Sequence, residues 1–120
     1  MPHVSIEFSP NIDNWANPVA IARAVHDVLC ASPHLPADAV KTRVFHHDQV
    51  LIGNDADRGK GFIAVSIRTR PGREDQVLAA ISASVRDEIV ASVIPIPGRP
   101  LTISVDIQIM NPVTVAHAKL

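Results

Sequence analysis

The sequence predicts an α+β domain in which two β-α-β units form a four-stranded mixed sheet with two helices on one face. Three observations point there. Apolar and polar residues alternate in "HVSIEF", "FIAVSIRTR" and "LTISVDIQI", the period of a half-buried strand. Two intervening segments instead space their apolar residues for one face of a helix. Finally, "VSIEFSP" at 4–10 is echoed by "VSIRTRP" at 65–71, each a strand exit ending in proline ahead of a helix. Residues 1–120 read as a single domain, a pseudo-repeat of units spanning about 2–52 and 61–110.

In the first unit, Val4, Ile6 and Phe8 alternate with His3, Ser5 and Glu7. Asn17-Pro18 reads as an N-cap followed by proline at the first helical position. Ile21, Ala22, Val25, Val28 and Leu29 keep helical spacing to about Ser32, and Pro33 and Pro36 end the helix. "KTRVFHHDQVLIG" is β-branched and extended enough for a second strand, and "GNDADRGKG" is a polar loop.

The second unit opens with Ile63, Val65 and Ile67 on one strand face. "PGRED" turns into a helix with Val77, Leu78, Ile81, Val85 and Ile89 on one stripe, and Glu74 and Asp75 suit its positive N-terminal end. "PIPGRP" interrupts the chain before the last strand. The tail "NPVTVAHAKL" carries apolar residues able to dock on a neighbour. Right-handed crossovers make the strands parallel within each unit. The helix-free sheet face then needs cover that this chain lacks, so self-association is expected.

Composition excludes several classes. Aromatic residues are only 3% of the chain, so base stacking on nucleic acid is not expected. Eleven basic against twelve acidic residues leave no electrostatic footprint for nucleic acid or an anionic membrane. No apolar run approaches membrane-spanning length, and the start lacks a basic and then apolar leader pattern. A single cysteine, Cys30, excludes an internal disulfide framework, and the expected location is the cytoplasm.

Several motifs fail on inspection. "GNDADRGK" has five residues between Gly53 and Gly59 where a phosphate-binding loop has four, and Gly61 stands where its Ser/Thr belongs. A calcium loop lacks its closing glutamate. His46 and His47 point to opposite strand faces and cannot chelate one ion together, so no metal site is assigned. Cys30 reads as a buried inert thiol, and Trp15 as a packing or lid residue.

The cations and the second residue carry more. Lys41 and Arg43 share a strand face, and Arg73 sits at the turn into the second helix, with Arg68 and Arg70 just before it. Arg58, Arg86, Arg99 and Lys119 read as solvated charge. Met1 is normally removed ahead of a small residue such as Pro2, which would become a secondary amine. With its pKa lowered by apolar surroundings and nearby cations, such an amine can take a proton from carbon. Pro2 has the parity of Val4, Ile6 and Phe8, the apolar side.

Together these residues resemble the 5-carboxymethyl-2-hydroxymuconate isomerase family of the tautomerase superfamily. "MPHVSIEFSPNI" is similar to its start, "TRVFHHD" to its Ser-Arg-Val segment, and "PGRE" to its Gly-Arg turn. The register holds from Pro2 through Arg73 and then becomes a matching pattern of helix and strand. The resemblance implies a homotrimer with active sites at subunit edges, no metal or organic cofactor, and Pro2 as catalytic base. It implies that Arg43 and Arg73 grip substrate carboxylates or a developing oxyanion, with Lys41 standing where the family has arginine. The substrate is then a small unsaturated enol or keto dicarboxylate of aromatic catabolism. Two alternatives stay open. One is a proline-dependent hydratase or dehalogenase using Glu7 or Asp48, and the other a non-enzymatic ligand-binding oligomer.

Overall fold

The computed structural model describes residues 1–54 and 59–120, so Asp55, Asp57 and Arg58 of the polar loop lie outside the described residues. Strands β1 (His3–Phe8), β2 (Lys41–His46), β3 (Gly61–Thr69) and β4 (Leu101–Ile109) form one sheet in the order β2-β1-β3-β4. Helix α1 (Pro18–Ala31) links β1 to β2, and α2 (Asp75–Ser92) links β3 to β4. β1 with β2 and β3 with β4 are parallel, whereas β1 with β3 is antiparallel.

The register between β1 and β3 accounts for the internal echo. Val4 lies opposite Ile67, Ser5 opposite Ser66, and Ile6 opposite Val65. The two Val-Ser-Ile triplets therefore run antiparallel with their serines facing each other at the centre of the sheet.

Alternation decides which face is buried. Val4, Ile6 and Phe8 on β1 and Ile63, Val65 and Ile67 on β3 are almost fully inaccessible. They pack with Ile21, Val25 and Leu29 of α1 and Ile81, Val85 and Ile89 of α2, so both helices cover one face. Asn17 caps α1: its Oδ1 accepts from the Val19 and Ala20 amides at 2.9 and 3.3 Å. Gly72, at φ +122°, makes the turn before α2 that a side chain would strain.

Trp15 is a packing residue, 2% exposed, rather than a lid. Its six-membered ring lies against Gly61, where a Cβ would fall 2.6 Å from Cζ3, so only glycine fits there. Cys30 is half-buried instead of buried, with Sγ 3.4 Å from His26 Nε2 on the preceding turn.

The second strand is shorter than its composition suggested. It ends at His46, opposite Phe8, because β1 turns away at Pro10 and leaves no ladder to continue. The His47 amide still donates to the Phe8 carbonyl at 3.2 Å, and the chain beyond is irregular. Among the described residues, no helix is long and apolar enough to cross a membrane.

Candidate active site

Pro2 precedes β1 and is buried, while its carbonyl accepts from the Lys41 amide at 3.1 Å. That bond anchors the chain start to the beginning of β2. The α-amine of Met1 donates to the Ala39 carbonyl at 3.2 Å. Met1, Lys41 and Arg70 line a cavity of about 840 Å³ at the end of the sheet where β1 and β2 start and β3 and β4 finish. His3, His117 and Lys119 also line it, and Asp38 is its one carboxylate among the described residues.

The electrostatics favour an uncharged amine. Burial, and then the charge of Lys41, its side-chain hydrogen bond and the charge of Arg70, lower the terminal amine below its ordinary value. His3 is lowered as well, first by burial and then by Arg43, the terminal amine, Arg68 and Lys41. A neutral His3 suits its contact with Arg43, whose Nη2 donates to His3 Nδ1 at 3.2 Å.

The structure separates the four residues singled out from sequence. Lys41 lines the cavity beside Met1, whereas Pro2 is buried behind that wall and meets Lys41 through the backbone, its carbonyl accepting from the Lys41 amide. Arg43 shares a face with Lys41, as parity required, but that face is the helix-free one. Its register partner is Ser5, and Ser5 points away from the Val4, Ile6 and Phe8 side to which Pro2 belongs. Within one chain, Arg43 therefore reaches the cavity only through His3.

Arg73 is held elsewhere. Its Nε donates to the His34 carbonyl at 2.8 Å, and Nη1 donates to Thr69 Oγ1 and to the Arg70 carbonyl at 3.1 and 3.3 Å. These bonds tie the turn before α2 to the loop after α1. They also fix the backbone of Arg70.

Sequence reasoning passed over Arg70, Lys119, His117 and Asp38 as site residues. Lys119, read as solvated charge, lines the cavity because the tail folds back over the strand starts. The only available signal was the density of cations around "RTRPGR".

The two histidines engage different partners, but His47 lies just past the end of β2, so strand alternation is not what separates them. His46 Nε2 lies 3.4 Å from the Pro10 carbonyl, while His47 Nε2 pairs with Glu7 Oε1 at 2.9 Å. Glu7 and Asp48 both lie toward the strand ends opposite the cavity.

A family model described as 5-carboxymethyl-2-hydroxymuconate isomerase matches residues 2–119. Among solved structures, a 5-carboxymethyl-2-hydroxymuconate isomerase from Deinococcus radiodurans R1 superposes with a TM-score of 0.83 at 16% identity. That match covers 99% of this chain and 90% of the other. A 5-carboxymethyl-2-hydroxymuconate delta-isomerase gives a TM-score of 0.78 at 20% identity, over 100% of this chain and 88% of that one. A structure described as a Q0 fused 4-OT wild type symmetric trimer gives 0.70 at 15% identity, over 98% and 92%. No curated protein sequence matches the chain.

Proposed function

Because the chain belongs to the 5-carboxymethyl-2-hydroxymuconate isomerase family, within the tautomerase superfamily, we propose that it shifts a proton within a small unsaturated enol or keto dicarboxylate, with Pro2 as general base. One observation carries the assignment of the base. Met1, the neighbour of Pro2, lines a cation-rich cavity, and burial and the adjacent cations lower the pKa of its amine.

Met1 is the terminal residue described, and its removal transfers the amine to Pro2, about 3.8 Å away between Cα atoms. The amine then takes a proton from the substrate's enol oxygen or from carbon and returns it to a distant carbon of the conjugated system. Lys41 supports one carboxylate and stabilises the charge that develops on oxygen. Arg43 contributes through the helix-free face, where copies of the chain meet, and Arg73 contributes by holding the Arg70 turn. A homotrimer with helix-free faces inward supplies the cover that this polar sheet face lacks. The reaction needs no metal or organic cofactor, and the protein works in the cytoplasm on products of aromatic catabolism.

The competing hydratase reading requires an acid that activates water. Of the acids that reading named, Glu7 is engaged by His47 and Asp48 lies at the same far end of the sheet, which leaves Asp38 as the one carboxylate among the described residues at the cavity. A panel of 2-hydroxydienoic acids, keto acids and haloacrylates, followed by ultraviolet absorbance, separates the readings. Turnover of enol acids without halide release is expected. Halide release without enol–keto interconversion would overturn the isomerase assignment.

A further inference from the structure

A second cavity, of about 440 Å³, adjoins the first and shares Arg70 and His117 with it. Its remaining walls are Pro71, Met110, Pro112 and Val115, four apolar residues beside a chamber that also carries Lys41 and Lys119. The tail builds these walls by specific local bonds. The Met110 amide donates to the Thr69 carbonyl at 2.8 Å, carrying the β3–β4 ladder one residue further. Asn111 then turns the chain: its Oδ1 accepts from the Val113 amide at 2.9 Å, and its carbonyl accepts from the Val115 amide at 3.1 Å.

Arg70 stands at the junction. Its backbone is held by Arg73, and among the described residues its guanidinium makes no hydrogen bond or ion pair within the chain. An uncommitted guanidinium between a cation-lined chamber and a cavity walled by four apolar side chains is suited to a carboxylate whose carbon skeleton continues against those walls.

We propose that Arg70 holds one substrate carboxylate at this junction, and that the Pro71–Met110–Pro112–Val115 cavity selects substrates bearing a short apolar arm. The inference rests on the isomerase reading above and deepens it by naming the substrate class: an unsaturated enol dicarboxylate with an alkyl substituent. Each methylene buried contributes roughly a fourfold gain in affinity. A three-carbon arm in this partly open cavity should therefore give a preference of about tenfold or more over the same acid without the arm.

The test compares two enol dicarboxylates that differ only by a propyl arm, in the wild-type protein and in Arg70→Ala, Arg70→Lys and Met110→Trp. Calorimetry with the corresponding saturated dicarboxylates runs in parallel. The wild type should prefer the propyl acid. Arg70→Ala should raise KM and Kd by about tenfold for both acids, with Arg70→Lys intermediate. Met110→Trp should bring the propyl preference close to one. Equal affinity for the two acids in the wild type, or an Arg70→Ala variant within twofold in both KM and Kd, would overturn the proposal. Should no enol acid be turned over, the isomerase reading fails by itself, and the calorimetric preference still decides the arm.

Discussion

Replacing Pro2 by alanine should lower kcat/KM by about 10²- to 10⁴-fold, the usual contribution of a positioned general base. This corresponds to about 2.7–5.5 kcal/mol of transition-state stabilisation. Methionine is removed before alanine as before proline, so the variant keeps a terminal amine in the same place. The new amine is primary and free of the ring that fixes φ, so it is less well aimed. A second variant with extra residues ahead of Pro2 converts its nitrogen to an amide with no useful basicity, and it should lose activity altogether. Circular dichroism and sedimentation should show both variants folded and assembled as the wild type. An unchanged kcat/KM in the alanine variant, assayed with the enol acid turned over best, would remove Pro2 from the chemistry.

The second large effect is expected at Lys41. After burial, its charge and hydrogen bond are the next causes that lower the terminal amine. The base must be unprotonated to act, so kcat/KM rises with pH through the amine's pKa. The charge of Lys41 and Arg70 that lowers the Met1 amine should act on the amine of processed Pro2 as well, so the rising limb should fall below the range of an ordinary α-amine. Lys41→Met removes the charge and the hydrogen bond, so the amine's pKa rises and the limb moves to higher pH. Loss of a charged carboxylate contact should also raise KM by about tenfold. Lys41→Arg keeps the charge and should leave the limb near its wild-type position. A pH–rate profile unmoved by Lys41→Met would show that the amine does not sense this strand.

Much of the fold was legible because alternation and capping are local. Val4-Ile6-Phe8 and Ile63-Val65-Ile67 announce their buried face residue by residue, and Asn17-Pro18 marks the start of α1 by its own chemistry. The end of β2 was not legible. "HHDQVLIG" has strand composition, but a ladder needs a partner, and β1 runs out at Phe8.

The site was legible in part for the same reason. Parity correctly put Lys41 with Arg43, and Pro2 with Val4, each within its own strand. Which face of β2 joins which face of β1 is a matter of register between strands, and that register sets Lys41 opposite His3 and Arg43 opposite Ser5, both on the face away from the Pro2 side. Arg73 looked like an anion-binding residue from its place at a helix entry. Its partners, His34, Thr69 and Arg70, come from two different loops and a strand end. Arg70 and Lys119 became site residues only when the tail folded across the strand starts, a contact between segments some fifty residues apart in the chain.

The central claim is that the working base is the amine of Pro2, and the mass of the intact protein from its native source tests it most directly. The account predicts a mass one methionine residue short of the full sequence, with sequencing by fragmentation beginning at Pro2. A fully active native protein that retains Met1 would contradict it, because Pro2 would then be an amide.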